Sequence, residues 1–231
     1  MSPNQFGPGS GTHGAAPDSA IASVIAERDI AEVLHFTTAP PGFVGVCATG
    51  MVRSRARLEE DEYLEHIFTP NCHDRDKDPE WTDYISLSIS RVNNSMLGYS
   101  KGWHPEASIW WVLLSFDPAI LTHPGVYFAT TNNSYSETVR RATGAEGLVD
   151  LFSSSVPWGH YGSVHRRRGD TPAHWTTDVQ AEVLYPGDLP LSYLRAVYVA
   201  QEDHIDQVKT WLELFPNTPE LTVTCKPEVF A

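Results

Sequence analysis

The sequence lacks the features that mark membrane and secreted proteins. In its 231 residues, no apolar run approaches the roughly 20 residues that a membrane-spanning helix requires. The first residues do not combine a basic segment with a following apolar segment, as a secretory signal would. The three cysteines, Cys47, Cys72 and Cys225, show no CxxC spacing. We therefore expect a cytoplasmic protein with reduced thiols and no membrane partner.

Sequence motifs of several common enzyme classes are also missing. The chain has no Gly-rich phosphate loop and no GxSxG nucleophile elbow. Its ten histidines include neither an HExxH nor a pair at positions i and i+4, so we expect no metal. Asp and Glu are numerous enough for a glycoside hydrolase, but nothing in the spacing identifies a catalytic pair.

Positive charge is scarce, and the formal net charge is −13. A protein that binds duplex DNA over many phosphates normally carries a basic face. Only two local clusters are basic: Arg53, Arg55 and Arg57, and residues 166–168, which are all Arg. Either the partner is not nucleic acid, or nucleic acid contacts a small basic site on an acidic protein. Each cluster is also compatible with an ordinary solvated surface.

The remaining composition is typical of a soluble globular protein, with 41% hydrophobic and 11% aromatic residues. Residues 1–18 are rich in Gly, Pro, Ser and Ala and are predicted to form a disordered tail. Residues 19–231 are predicted to form one α+β domain with a strand-rich centre. Helices are predicted near 19–31, 58–67, 137–152 and 205–215, with strands near 33–37, 84–90, 109–116, 125–130, 180–184, 194–199 and 221–224.

Two stretches of this pattern suggest a binding groove. Residues 84–90 alternate strictly between apolar residues and serine, which predicts a strand with small hydroxyl groups along one face. Such a face is unusual for a core and suits a groove wall. Residues 153–177 form a long loop with Trp, Gly, His and Arg, and a loop of that length in a compact domain is usually functional.

Glu182 stands within an apolar, strand-like segment, Gln-Ala-Glu-Val-Leu. An ionised Glu is rarely buried unless it is paired or used chemically. A rigid strand that carries one carboxylate after a polar loop is a common way to present a catalytic acid or base. The alternative is an edge-strand Glu with its side chain in solvent.

A wider set of residues suits cleavage of a glycosidic bond to a good leaving group such as nicotinamide. His35 and Thr37, two residues apart on a strand, could hold a ribose and a carboxamide. Arg75 could neutralise a pyrophosphate. Glu182 could stabilise an oxocarbenium-like centre and accept a proton. Taken singly, a histidine such as His35 is more often a core residue, and an arginine among acids such as Arg75 is more often part of a surface ion pair.

These residues, in this order, resemble the DarT family of DNA ADP-ribosyltransferases, which are toxins of toxin–antitoxin and phage-defence systems. Leu-His-Phe-Thr at 34–37 resembles the family's His-x-Thr segment, and Arg75 precedes Asp-Tyr-Ile at 83–85 as the family's arginine precedes Asp-Tyr-Val. Ser-Met-Leu at 95–97 and the strand that runs into Thr-Asn-Asn at 131–133 are similar to later family segments. Gln-Ala-Glu-Val-Leu at 180–184 matches the strand that carries the catalytic glutamate.

The resemblance implies a single mono-ADP-ribosyltransferase-like domain with a split β-sheet core, flanking helices and NAD as co-substrate in the cleft. It implies that Arg75 and Glu182 are catalytic and that loop residues bind the DNA strand. The NAD contacts would be His35, Phe36, Thr37, Arg75, Ser88 and Asn132. The contacts to single-stranded DNA would be Trp158, Arg166, Arg167 and Arg168.

The implied reaction is transfer of ADP-ribose from NAD to a base of single-stranded DNA. The implied partner is an antitoxin that removes ADP-ribose, of the macrodomain type or similar. A protein-directed ADP-ribosyltransferase, or an NAD glycohydrolase, is the alternative that the net charge of −13 favours. A catalytically inactive NAD- or nucleotide-sensing module is a third.

Overall fold

A computed structural model describes residues 18–59, 79–159, 161–216 and 218–230. Except for Asp18, the expected disordered tail lies outside these residues, as do Arg75 and most of the helix expected at 58–67. The α-helices of the described residues are α1 (Ser19–Arg28), α2 (Pro41–Thr49), α3 (Arg55–Glu59), α4 (Asn94–Trp103), α5 (Gly144–Asp150) and α6 (His204–Leu214).

The described strands include seven that were expected from the sequence. They are β1 (Val33–Ala39), β2 (Met51–Arg53), β3 (Tyr84–Ile89), β4 (Trp110–Phe116), β5 (Tyr127–Ala129), β6 (Arg141–Ala142), β7 (Ser155–Pro157), β8 (Val164–Arg166), β9 (Glu182–Pro186), β10 (Asp188–Pro190), β11 (Leu194–Val199) and β12 (Thr222–Cys225). Short 3₁₀ helices cover Pro79–Trp81, Pro118–Thr122, Leu191–Tyr193 and Pro227–Phe230.

The helix that opens the described region is shorter than its sequence pattern predicts. Asp18 caps α1, because its Oδ1 accepts hydrogen bonds from the amides of Ala20 (2.9 Å) and Ile21 (3.2 Å). At the other end Asp29 adopts a left-handed conformation (φ 55°), which terminates the helix at Arg28. The apolar periodicity continues beyond this point, but the backbone already turns toward β1.

Eight strands form one sheet in the order β12-β11-β4-β1-β3-β9-β5-β6. Its pairs are antiparallel except β11 with β12, which are parallel. The order places β9, which begins with Glu182, near the middle of the sheet between β3 and β5. The α+β class expected from the sequence is confirmed.

Strand β3 joins the two halves of this sheet. Its first four residues pair with β9, from Tyr84 opposite Pro186 to Leu87 opposite Val183. Its last two, Ser88 and Ile89, pair with β1. β1 pairs with β4 along its whole length, and beyond these two pairs with β3 the two half-sheets separate. This separation creates a split beside the serine-bearing part of β3.

The two faces of β3 and β9 differ in character. Ile85 and Leu87 on β3 and Val183 on β9 are buried in the main core. The intervening residues face the other way, with Ser86 exposed and Ser88 and Glu182 half-buried. The serine face predicted from the alternating pattern is therefore present, and Glu182 lies on the same face.

The segment from 137 to 177 is more varied than its sequence suggests. Only Gly144–Asp150 of the helix expected at 137–152 is helical, because the preceding residues form β6 and pair with β5. The expected long loop at 153–177 contains a hairpin in which β7 and β8 pair antiparallel. No helix in the described part of the chain combines the length and the apolar character needed to cross a bilayer.

Candidate active site

Glu182 begins β9, and both oxygens of its carboxylate are held by hydrogen bonds. Ser86 Oγ donates to Oε2 at 2.5 Å, and the backbone amide of Asn133 donates to Oε1 at 3.0 Å. Ser86 reaches Glu182 because β3 and β9 are neighbours, with Ser86 directly opposite Leu184. Hydrogen bonds to both oxygens restrict rotation of the carboxylate and favour its ionised form.

A buried aspartate fixes the backbone on both sides of this arrangement. Asp178 is fully buried, and its Oδ2 accepts a hydrogen bond from Thr131 Oγ1 at 2.6 Å. Its Oδ1 accepts from the amide of Gln180 at 2.9 Å. The turn that carries Asn133 and the segment that leads into Glu182 are therefore tied to one carboxylate. The Gln180 bond belongs to a turn, which explains why the strand begins at Glu182 and not, as expected, at residue 180.

His35 reaches the same place from the other half-sheet. Its Nδ1 donates to the backbone carbonyl of Ser86 at 3.1 Å, at the point where β1 and β3 no longer pair through their backbones. Burial lowers the pKa of His35 from 6.5 to about 4, against the opposing effect of the Ser86 hydrogen bond. The ring is therefore neutral near pH 7, and its Nε2 is an acceptor suited to a sugar hydroxyl.

The two residues that follow His35 pack against other elements. Phe36 packs edge-to-face against Trp111, with ring centroids 5.7 Å apart, and borders the smaller apolar cluster, which includes Leu34. Thr37 is 5% exposed. The Thr37 hydroxyl packs against Gly42 at the start of α2. A Cβ on residue 42 would lie only 2.4 Å from Thr37 Oγ1. The assignment of Phe36 and Thr37 to NAD remains a prediction.

Two of the three remaining predicted NAD contacts, Ser88 and Asn132, lie on the elements that surround Glu182. Ser88 is half-buried on the same face of β3 as Ser86 and pairs with Leu34. The side chain of Asn132 shapes the turn before Asn133, because its Oδ1 accepts from the amide of Ser134 at 2.9 Å and from the hydroxyl of Ser134 at 2.6 Å. Arg75, the other residue predicted to be catalytic, lies outside the described residues.

An aromatic cluster extends the face on which Glu182 lies. The rings of Trp81, Tyr84 and Tyr127 approach one another, with centroid distances of 5.0, 5.3 and 6.0 Å. The guanidinium of Arg141 lies over Trp81, 5.3 Å from the ring centroid. Flat, half-buried rings beside a held carboxylate offer a surface on which a planar ring could stack.

The hairpin of β7 and β8 is attached beside the Asn133 turn. Trp158 packs edge-to-face on Tyr135, with centroids 6.5 Å apart. Thr138 Oγ1 donates to the carbonyl of Gly159 at 3.2 Å. Among the predicted DNA contacts, Trp158 therefore packs against a residue, Tyr135, that adjoins the turn whose Asn133 amide binds Glu182.

The three consecutive arginines differ in their surroundings. Arg166 is exposed, and Arg168 is 80% exposed with a 3.2 Å ion pair to Asp170. Arg167 instead turns into its own loop, where it donates to the carbonyls of Trp175 (2.6 Å) and Pro172 (2.7 Å). The guanidinium of Arg167 thus organises the loop, while Arg166 and Arg168 face solvent.

Three residues of this site were not predicted from the sequence. Ser86, Asn133 and Arg141 were not singled out, although the alternating serines and the Asn-Asn pair pointed to their neighbourhood. The choice of Ser86 over Ser88 depends on the register between β3 and β9, which the sequence does not reveal. Nothing in the sequence distinguishes Arg141 from Arg140. Among the described residues, no three His, Cys, Asp or Glu side chains form a group that could hold a metal ion.

The fold resembles solved ADP-ribosyltransferase structures. The Thermus sp. 2.9 DarT in complex with carba-NAD+ aligns with a TM-score of 0.61 at 14% identity, over 88% of this chain and 99% of that one. The same protein in complex with ADP-ribosylated ssDNA aligns with a TM-score of 0.60 at 13% identity, over 88% and 97%. At this level of identity the likeness concerns the fold.

A longer protein also matches. Thermosipho africanus DarTG in complex with ADP-ribose aligns with a TM-score of 0.52 at 14% identity, over 87% of this chain and 51% of that one. No curated protein gave a significant match to the sequence. Residues 34–231, however, match the family described as DarT, ssDNA thymidine ADP-ribosyltransferase. Because that match covers most of the chain, the protein belongs to the DarT family of NAD-dependent ADP-ribosyltransferases that act on single-stranded DNA.

Proposed function

We propose that this chain transfers ADP-ribose from NAD+ to thymidine in single-stranded DNA, with Glu182 as the carboxylate at the reacting centre. The observation that supports this role most directly is the arrangement of Glu182 at the split between the half-sheets. Ser86 and the Asn133 amide hold its two oxygens, and His35 binds the backbone of the same serine. Structures of similar fold contain NAD+, carba-NAD+ and ADP-ribosylated ssDNA.

In the proposed reaction the bond between nicotinamide and C1 of its ribose breaks, and nicotinamide leaves as a neutral molecule. Positive charge develops on the ribose ring, and the ionised Glu182 carboxylate stabilises it. A ring nitrogen of thymine forms the new bond to C1 and loses its proton. We propose that the Glu182 carboxylate accepts that proton.

The NAD+ contacts are proposed from the predicted set. His35 is neutral near pH 7 and offers Nε2 as an acceptor for a ribose hydroxyl. Ser88 and Asn132 lie on the elements that flank Glu182 and are proposed to contact the nicotinamide half of NAD+. Phe36 and Thr37 are proposed to contact NAD+ on the basis of the His-x-Thr pattern. Arg75 is proposed, from its place ahead of Asp-Tyr-Ile at 83–85, to orient NAD+ as a catalytic residue.

The DNA strand is proposed to run along the hairpin that carries Trp158. Aromatic rings stack on bases, and exposed arginines pair with phosphates. Arg166 and Arg168 are exposed and suit phosphate contacts. Arg167 would act indirectly, because its guanidinium holds the loop carbonyls.

The biological setting is proposed to be a toxin–antitoxin pair in the cytoplasm. A modified base in DNA is harmful unless it is removed, so a partner that removes ADP-ribose, of the macrodomain type or similar, would be required. The similarity to Thermosipho africanus DarTG supports such a pairing. Co-expression with an ADP-ribose-removing macrodomain should relieve growth arrest by the wild-type chain, and persistent arrest would contradict this type of partner.

The reaction is tested with NAD+ and matched single-stranded oligonucleotides that contain one thymidine or none. We expect a mass increase of one ADP-ribose only on the thymidine-containing strand, and less of it when that strand is annealed to its complement. Label from NAD+ that appears on protein, or nicotinamide release without any transfer, would instead support one of the alternative activities.

A further inference from the structure

Arg141 lies in the same row of the sheet as Glu182. In the register of the strands, Ala129 of β5 is opposite Glu182 of β9 on one side and opposite Arg141 of β6 on the other. Residues directly opposite one another project from the same face, and two strand spacings separate Arg141 from Glu182 by roughly 10 Å. Ala129 contributes only a methyl group between these two long side chains.

Asn133 occupies the space between them and contacts both. Arg141 Nε donates to Asn133 Oδ1 at 2.5 Å, and Arg141 Nη2 donates to the backbone carbonyl of Asn133 at 2.6 Å. The amide of Asn133 then donates to Glu182 Oε1 at 3.0 Å. Since Asn133 is only 1% exposed, water does not readily replace these contacts. One guanidinium thereby holds the side chain and the backbone of the residue that binds the carboxylate.

The surroundings of Arg141 indicate that its geometry, and not only its charge, is used. Within the described part of the chain, no carboxylate lies at ion-pair distance from its guanidinium. Both of its acceptors are neutral oxygens of one residue, and its plane lies over Trp81. A planar fork of two N–H donors matches two oxygens of fixed separation, which a lysine ammonium cannot do.

We propose that Arg141 is a positioning residue for ADP-ribosyl transfer. By holding Asn133, Arg141 directs the backbone amide of Asn133 at Glu182 Oε1. The carboxylate thereby keeps the orientation in which Ser86 Oγ donates to its other oxygen, Oε2. This proposal rests on the proposed role of Glu182. Arg141 acts through Asn133, so its loss lowers the rate of the chemical step more than the affinity for NAD+.

The test compares Arg141→Gln and Arg141→Lys with the matched control Arg140→Gln. Arg140 is the adjacent arginine, and its side chain is exposed. Steady-state transfer to a thymidine-containing oligonucleotide gives kcat and KM for NAD+, and thermal melting reports folding. We expect kcat to fall at least tenfold in Arg141→Gln, with KM for NAD+ and the melting temperature close to wild type. Arg141→Lys should recover little of this loss, and Arg140→Gln should match wild type within about twofold.

Three results would overturn the proposal. The first is a folded Arg141→Gln with wild-type kcat, and the second is a loss confined to KM, which would make Arg141 an NAD+ contact. The third is failure of both Arg141 variants to fold, which would leave Arg141 a purely structural role. A wild-type chain that transfers nothing to DNA would count against the proposed function instead, so the two failures are distinguishable.

Discussion

Glu182→Gln separates the charge of the carboxylate from its geometry. Glutamine has nearly the same shape, and its carbonyl can still accept the hydrogen bond from the Asn133 amide. Its NH₂ group would face Ser86 Oγ, which can accept a hydrogen bond as well as donate one. The substitution therefore removes one negative charge and leaves the surrounding strands in place. We expect the free energy of unfolding to change by less than about 1 kcal/mol, because the Ser86 hydroxyl and the Asn133 backbone amide both keep a hydrogen-bond partner.

The expected loss of rate follows from the missing charge. Opposite unit charges about 4 Å apart attract by about 4 kcal/mol at an effective dielectric constant of about 20. If Glu182 stabilises a ribosyl cation at that distance, its neutralisation slows transfer by about a thousandfold. Glu182→Asp retains the charge but withdraws it by one methylene from both Ser86 and Asn133. We expect its rate to fall between those of wild type and Glu182→Gln.

The assay is the initial rate of ADP-ribose addition to a single-thymidine oligonucleotide, measured by mass spectrometry. Glu146→Gln, on α5 at an exposed position, is the matched control and should retain the wild-type rate. A Glu182→Gln variant that melts like wild type and transfers within tenfold of the wild-type rate would refute the electrostatic role assigned to Glu182.

Three further predictions concern the fold around the site. Between pH 6.5 and about 4 the unfolded chain binds a proton at His35 that the folded chain does not. The free energy of unfolding should therefore fall on acidification through this range, by at most about 3 kcal/mol. In His35→Asn the melting temperature should fall less over the same pH range. Arg167→Ala removes hydrogen bonds to three loop carbonyls and should accelerate amide exchange in its loop, whereas the exposed Arg168→Ala should leave exchange unchanged. Gly42→Ala would place a Cβ within 2.6 Å of two threonine hydroxyls, so it should lower the free energy of unfolding by about 1–3 kcal/mol. Gly98 on α4 has open space around it, so Gly98→Ala should raise the free energy of unfolding by about 0.5–1 kcal/mol. Equal melting temperatures for the two glycine variants would contradict the packing described around α2.

Local pattern was sufficient to predict most of the strands that build the site. The alternation at 84–90 gave both the strand and its serine face, and the apolar run around Glu182 gave the strand that carries the carboxylate. Both signals are short-range, since side chains alternate between the faces of a strand regardless of its partners. The helix expected at 137–152 was partly wrong because β6 forms only through pairing with β5, a tertiary contact that local periodicity does not encode.

The contacts within the site could not be predicted in the same way. Ser86 and Ser88 are equivalent in the sequence, and only the register of β3 against β9 brings Ser86 to Glu182. Arg166, Arg167 and Arg168 form one cluster in the sequence, yet the backbone of the loop turns the middle one inward. Each of these distinctions depends on which residues meet across the fold, and a single sequence carries little information about register.

The charge distribution constrains how such an acidic protein holds a DNA strand. Of the first arginine cluster, Arg57 is engaged by Asp83 and Asp188 at 2.9 and 3.1 Å, and so contributes to the fold. Arg166, at the end of β8, and Arg168, two residues later, are exposed. If Arg166 and Arg168 each bind one phosphate, they contribute a salt dependence of only about −1.4 in log K against log[salt] for a single strand. On a protein with net charge −13, we then expect most of the affinity to come from stacking of bases on aromatic rings, which is weakly sensitive to salt. Stacking also favours single-stranded DNA over duplex, because only unpaired bases expose their faces.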